Sequence, residues 1–293
     1  MSNQVTAAMV NAYSANFHVL GQQMVSRLEG MVRVERGIVG QSKTVERIGS
    51  TEAYDIVSRH ADTQYVNTPH SRRWIDLQDK AWAELVDELD KIKMLADPTS
   101  PYLKLGVAAM NRAKDGIIYR AARGTARTGS GTQVLPSAQK IAAASSGMTV
   151  AKLLAAKEIL DAAEIDAEDT GMSADGLSVP MRTVVTNSAG ISDLLNTTDV
   201  KSSDYNTVKA LAQGKMSDFL GFKFVRYEGL ATSSTTKYAI AFGRNSVVLG
   251  VGADIRTSID PMPGKNHAVQ VFARMSLGAV RAEDAGVVEI AFI

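Results

Sequence analysis

Residues 62–129 read DTQYVNTPHSRRWIDLQDKAWAELVDELDKIKMLADPTSPYLKLGVAAMNRAKDGIIYRAARGTARTG. The stretch opens extended, because Tyr65 and Val66 precede Thr68-Pro69 and proline biases the residue before it away from helix. Trp82, Leu85, Val86, Leu89 and Ile92 then recur at i, i+3, i+4 and i+7, which predicts an amphipathic helix. Asp97-Pro98 stops it. Ser100-Pro101 starts a second helix, with Ser as N-cap and Pro at the first helical position, where a missing N–H costs nothing. Leu103, Val107, Met110, Ile117 and Ala121 form its apolar stripe, and Gly124 ends it. The expectation is an extended entry followed by a pair of helices over residues 76–127.

Around this stretch, the 293 residues give ample material for a core, in one large domain or two ordinary ones. Apolar residues make up 45% and charged residues 22%, which excludes a disordered chain. No run approaches the length of a spanning helix, and the start lacks the pattern of a secretion signal, so no membrane partner is expected. With no cysteine there is no disulfide framework, which fits a reducing cytoplasm. A net charge of +1 argues against a dedicated nucleic-acid binder.

Residues 4–30 show helical spacing (Val5, Met9, Ala12, Phe17, Leu20, Met24, Leu28), with Gly21 a place to bend. This is either a terminal helix packed on its own domain or an arm reaching a neighbour. Residues 31–75 alternate strand-like runs (MVRVERGIV, KTVERIG, EAYDIVSR, QYVN, RRWIDL), with Gly49-Ser50 as the expected hairpin tip. The hairpin strands carry Lys43, Glu46, Arg47, Glu52, Asp55 and Arg59 and read as polar on both faces. Such a hairpin is marginal alone, so something else must hold it. Arg112, Lys114, Arg120, Arg123 and Arg127 stand against only Asp115 on and after the second helix. They are either a solvated face, with cations near a helix C-terminus, or a surface for an acidic partner. Residues 128–150 have linker composition, 150–165 are helical, 181–186 a buried strand, and 191–195 a short helix. Phe222, Phe224 and Tyr227 flank a strand entered at Gly221. From Lys237 onward four Val/Ile-rich runs predict an antiparallel meander, turning at Asp260-Pro-Met-Pro-Gly264.

Sought chemistry is absent. Gly124 to Gly129 lacks the Lys that a phosphate loop places after its second Gly. His18, His60, His70 and His267 are scattered without zinc-ligand spacing. The acidic run Asp161 to Asp175 fails the calcium-loop pattern. Asp87, Glu88 and Asp90 pair with Lys91 and Lys93 at ordinary helical spacing. No nucleophile elbow or dinucleotide fingerprint occurs, so neither an enzyme nor a cofactor is expected.

Asp62, the run Thr68 to Arg73, Asp79-Lys80, Asp97-Pro98-Thr99-Ser100, Asp115-Gly116-Ile117-Ile118 and Gly124 to Gly129 stand in register along the chain. In this order they resemble the major capsid proteins of tailed bacteriophages with the Hong Kong 97-type fold. The resemblance is strongest over 62–129 and fair over 211–229, and the element order matches over nearly the whole chain. It implies an α+β fold made of an N-terminal arm (1–36), an extended loop or E-loop (37–70), a P-domain with a long spine helix (71–144), an A-domain (145–233) and return strands of the P-domain (234–293). It also implies a structural protein that self-assembles into pentamers and hexamers of an icosahedral head enclosing double-stranded DNA. Assembly would take place in the bacterial host cytoplasm and leave the protein in the virion.

Under this resemblance the expected subunit-interface residues are Phe17 and Leu20 in the arm, Glu46, Arg47, Glu52 and Arg59 in the loop, and Lys265 in the turn. Arg112, Lys114, Arg120, Arg123 and Arg127 become candidates for a basic inner surface meeting packaged DNA non-specifically. The partners implied are further copies of the chain, a portal protein and a decoration or cement protein. A separate scaffolding protein is expected because no long charged extension precedes the arm. Lys43 lies where some such shells form a lysine–asparagine crosslink, but no partner residue stands out. The alternative is an encapsulin-like compartment shell, which shares the fold and encloses an enzyme.

Overall fold

A 25-residue helix, α1 (Thr99–Arg123), dominates the chain in this computed structural model, which describes residues 20–56, 58–59, 62–86, 99–165, 182–196 and 218–293. At about 1.5 Å of rise per residue α1 is about 37 Å long. It ends at Gly124, whose N–H donates to Arg120 O at 2.7 Å. The second predicted helix is therefore present.

The first is not. Residues Gln78–Val86 form a strand, and residues 87–98, with Leu89, Ile92 and the Asp97-Pro98 stop, lie outside the described residues. Trp82 and Val86 are four apart, a spacing that fits a helical turn and a strand face equally. The burial decides between them: Lys80, Trp82 and Val86 turn inward, while Asp79, Ala81, Ala83 and Leu85 are exposed. Pairing with a distant strand overrode the local helical preference.

The strands in chain order are β1 (Arg33–Arg36), β2 (Ser42–Ile48), β3 (His70–Asp76), β4 (Gln78–Val86), β5 (Ala126–Thr128), β6 (Thr132–Gln133), β7 (Lys140–Ile141), β8 (Arg182–Thr186), β9 (Asp218–Phe219), β10 (Phe222–Arg226), β11 (Thr232–Ser233), β12 (Thr236–Gly243), β13 (Val247–Met262), β14 (Ala268–Arg281) and β15 (Val287–Phe292). Two shorter helices, α2 (Val150–Ala162) and α3 (Ser188–Asn196), complete the set of α-helices among the described residues. Thr149 caps α2, its side chain accepting from Lys152 N–H.

The chain divides into two units. One comprises Met1–Ser26, Asp79–Ala113 and Ala253–Ser276. Within it β4 borders β14, and Trp82 lies so close to Gly106 of α1 that a Cβ there would stand 2.6 Å from the ring.

The other unit comprises Arg27–Gln78, Lys114–Gly252 and Leu277–Ile293. Its largest sheet has the order β7-β15-β12-β8-β10-β9, with β11 on β12. Every residue of β8 and β15 is buried, and on one face of the sheet α2 and α3 supply Leu153, Ala156, Leu160 and Leu194 to the same core as Phe222, Phe224 and Phe292. Strands buried on both faces tend to lose the apolar–polar alternation, and VVEIAF does so with Glu289 as its one polar residue, while RTVVT buries Arg182, Thr183 and Thr186 beside its two valines. The predicted C-terminal meander is instead nested. β12 pairs antiparallel with β15, Lys237 opposite Phe292, while β13 and β14 between them in sequence belong to another sheet, ordered β1-β13-β14-β4. Thus β12, expected in the return segment, is hydrogen-bonded to β8, expected in the A-domain, across the 233/234 boundary.

The N-terminal helix expected through Leu28 does not cover residues 20–28, and residues 1–19 lie outside the described residues. Side chains of α1 satisfy this backbone in place of an internal helical ladder. Asn111 donates to Met24 O at 2.8 Å and Arg112 to Gln23 O at 3.2 Å. Arg27 and Leu28 N–H donate to the buried Asp115 carboxylate at 3.0–3.2 Å.

Candidate assembly surfaces

β2 and β3 pair antiparallel from Ser42↔Asp76 to Ile48↔His70, so the hairpin stem exists, but its tip is not Gly49-Ser50. Gly49 N–H donates to Pro69 O at 2.9 Å and closes the stem at the base of a loop spanning 49–69. EAYDIVSR forms no strand among its described residues, and no described strand pairs with it. Nor is the stem polar on both faces. Val45 and Ile75 are buried with Ile38, Ala126, Val248, Val280 and Ala282, which anchors the root while the loop runs free of the core.

The loop and the last residue of the stem expose large apolar side chains. Ile48 is 71% exposed, Ile56 80% and Tyr65 93%, with Tyr54 and Val66 also open to solvent. Sequence reasoning missed these residues as an interface signal. The clue was a β-prone segment lacking a turn that would return it to its own sheet.

At the root lies an open groove of about 570 Å³ between the stem and the β5–β6 turn. Arg47, Arg72, Arg73, His70 and Trp74 line it, with Glu46 paired to Arg72 at 3.5 Å. Behind it, fully buried Arg281 donates to the carbonyls of Ala122, Gly124 and Gln133 and to Asp284 at 2.6 Å. Asp284 also accepts from Arg73 at 2.6 Å. This cation caps the C-terminus of α1, where carbonyls lack helical partners, and ties it to the stem.

The other expected interface residues are scattered. Leu20, Glu46, Glu52, Arg59 and Lys265 are exposed and Arg47 is half-buried; Phe17 lies outside the described residues. Lys265 sits in a short 3-10 turn followed by Asn266 and His267 in the left-handed region.

The five basic candidates also divide. Lys114 is not a surface charge: its side chain is 3% exposed and donates to Glu29 at 2.9 Å, because a buried ammonium needs a partner. Arg123 bonds Glu289 and stacks over Tyr238, with its guanidinium carbon 4.0 Å from the ring centroid. Arg127 pairs with Asp76 at 2.8 Å and lies over Trp74. Arg112 is exposed, donating to Gln22 Oε1 at 2.6 Å, and Arg120 is exposed.

Two buried polar groups are structural fixtures that sequence reading did not single out. Lys152 Nζ donates to the carbonyls of Ala143, Ser146, Gly147 and Ala291 at 2.8–3.1 Å, and burial pushes its pKa down. Tyr119 OH donates to Tyr238 O at 2.7 Å and accepts from Ala231 N–H, and burial pushes its pKa up to about 12. Among the described residues no group of His, Asp and Glu is arranged to hold a metal, and no helix is long and apolar enough to cross a membrane.

A family model described as phage capsid protein matches residues 5–293. No curated protein matches. Among solved structures, the capsid of cyanophage P-SCSP1u is 16% identical with a TM-score of 0.73, covering 99% of this chain and 94% of that one. The capsid of Helicobacter pylori bacteriophage KHP30 is 9% identical with a TM-score of 0.72, covering 100% and 97%. The capsid of Ralstonia phage GP4 is 11% identical with a TM-score of 0.72, covering 97% and 95%.

Proposed function

This chain belongs to the phage capsid protein family, and we propose that it is the shell-building subunit of an icosahedral head, assembling into pentamers and hexamers around double-stranded DNA. Its fold is the Hong Kong 97 type and its role is structural. The observation that carries the multimeric reading is the loop at 49–69. It exposes Tyr54, Ile56, Tyr65 and Val66 to solvent, and several large apolar side chains exposed on one loop support an interaction surface there.

A subunit used in both pentamers and hexamers occupies environments that differ slightly. The long helix and the sheet buried on both faces keep the body's shape, while the loop, the arm and the turn at 263–267 reach neighbouring copies. Closed shells multiply weak contacts, so exposed pairs at Glu46, Glu52, Arg59 or Lys265 need contribute no more than about 1 kcal/mol each. Of the basic candidates, Arg112 and Arg120 are exposed and make no ion pair with a described residue, and they are the ones left to face packaged DNA. A scaffolding protein, a portal and a decoration protein complete the expected partners during assembly in the host cytoplasm. The phage description of the matching family favours this reading over a compartment shell.

The test is negative-stain microscopy of the purified chain, expressed with and without its genomic neighbours. Closed shells or five- and sixfold rings are expected. A uniformly monomeric protein in the presence of a candidate scaffold would overturn the reading.

A further inference from the structure

The root groove holds more positive charge than the described residues neutralise. Arg281 is satisfied by three carbonyls and Asp284. Arg73, 6% exposed, has only a share of Asp284, and its Nε is buried without an acceptor. Burial, and then the charges of Arg47 and Arg281, hold the Arg73 pKa below its ordinary value against the pull of Asp284. Arg47 faces the same side of the stem, because Val45 stands opposite Arg73 and Arg47 is two residues on. Its side chain makes no ion pair or hydrogen bond with any described residue. Both arginines line the groove, and no described residue of 49–69 does.

The loop has the opposite imbalance. Residues 49–69 carry Glu52, Asp55 and Asp62 against Arg59 alone. All three carboxylates are exposed and have no partner among the described residues.

We propose that the root groove of one copy binds carboxylates of the 49–69 loop of a second copy, with Arg47 and Arg73 as the receiving groups. This rests on the reading that the loop reaches a neighbouring copy, and it names where the loop lands. Each copy then gives one loop and receives one, a head-to-tail contact that closes into a ring when the rotation between copies divides the circle. A discrete carboxylate suits the groove better than a nucleic-acid backbone does. Glu46 stands in its wall and would repel a continuous run of phosphates, and the chain as a whole carries only +1.

The experiment is a fluorescence-anisotropy titration of a synthetic peptide of residues 49–69 against the unassembled full-length chain. Binding is expected to weaken steeply with salt, and to fall by more than about tenfold for Arg47→Glu. A peptide with Glu52, Asp55 and Asp62 changed to Lys is expected to lose the wild-type chain and to regain Arg47→Glu. If Arg47→Glu fails a circular-dichroism check of folding, Arg47→Gln takes its place, with weaker binding of the wild-type peptide expected. No peptide binding, or equal binding to wild type and variant, overturns the proposal. So does duplex DNA that binds in the peptide's place with the same sensitivity to Arg47. Peptide binding is read in solution whether or not particles form. Microscopy of the same preparation therefore shows separately whether the shell reading itself has failed.

Discussion

The seven-stranded sheet and the 49–69 loop belong to the same unit, and they meet one requirement in opposite ways. Both are rich in β-prone residues. In the sheet, β8 and β15 find neighbouring strands on both edges, and every one of their residues is buried within the chain. In the loop, Ile56 and Tyr65 stand in solvent, and Glu52, Asp55 and Asp62 lack partners among the described residues. One region is finished by its own chain. The other, under the proposed function, is finished by assembly.

If the sheet is self-sufficient, damage to it must destabilise the isolated chain. Phe222→Ala is expected to cost about 3–5 kcal/mol in chemical denaturation, as for other buried aromatic truncations. A loss below about 1 kcal/mol would break the comparison. Lys152→Met is expected to cost about 1–3 kcal/mol, because it removes the buried ammonium that joins four carbonyls, Gly147 O among them. A neutral result would mean that water replaces the ammonium and that the corner is less closed than the geometry shows.

The loop predicts the reverse. Ile56→Ser together with Tyr65→Ser is expected to change the stability of the isolated chain by no more than about 0.5 kcal/mol while sharply lowering the yield of particles in microscopy. Equal particle yield would remove the loop from the interface.

Two titrations sharpen the picture of the finished half. Tyr119, raised to about 12, holds stability that is present below the ordinary phenol range and is lost as pH rises through that value. Ultraviolet phenolate absorbance is therefore expected to keep rising to about pH 12, with the last phase missing in Tyr119→Phe. Asp161 has the opposite sign: hydrogen bonds from Lys157 and Arg182 hold its carboxyl below the ordinary value. Its contribution is present above the ordinary carboxylate pKa and is lost as pH falls through the depressed one. Because its side chain is 46% exposed, Asp161→Asn is expected to remove well under about 1 kcal/mol, visible as a flatter acid limb in thermal melts.

Much of the fold was legible because local signals and tertiary outcome agreed. Gly124 ends α1 as expected, Ser100-Pro101 marks its start to within two residues although Ser100 lies inside the helix instead of capping it, and the segments at 182–186, 222–226 and 287–292 are strands. Where the outcome departed, a non-local partner had decided. Trp82 and Val86 fit both periods, and β14 drew them into a strand. EAYDIVSR looked like a strand and pairs with no strand among the described residues. The basic candidates were legible as charges but not as positions, since no spacing along α1 reveals that Glu29 buries Lys114 or that Glu289 holds Arg123.

The sequence by itself determined the long helix, the β-rich C-terminal half and, through the motif order from Asp62 to Gly129, the family. Those depend on spacing, caps and turn residues that act within a few positions of one another. Only the tertiary structure decided that β12 and β15 enclose β13 and β14, that Arg281 joins the end of α1 to the stem, and that Arg47 and Arg73 share one groove. These are pairings between residues tens to hundreds of positions apart. They are set by which surfaces can be buried together, and no local pattern encodes that choice.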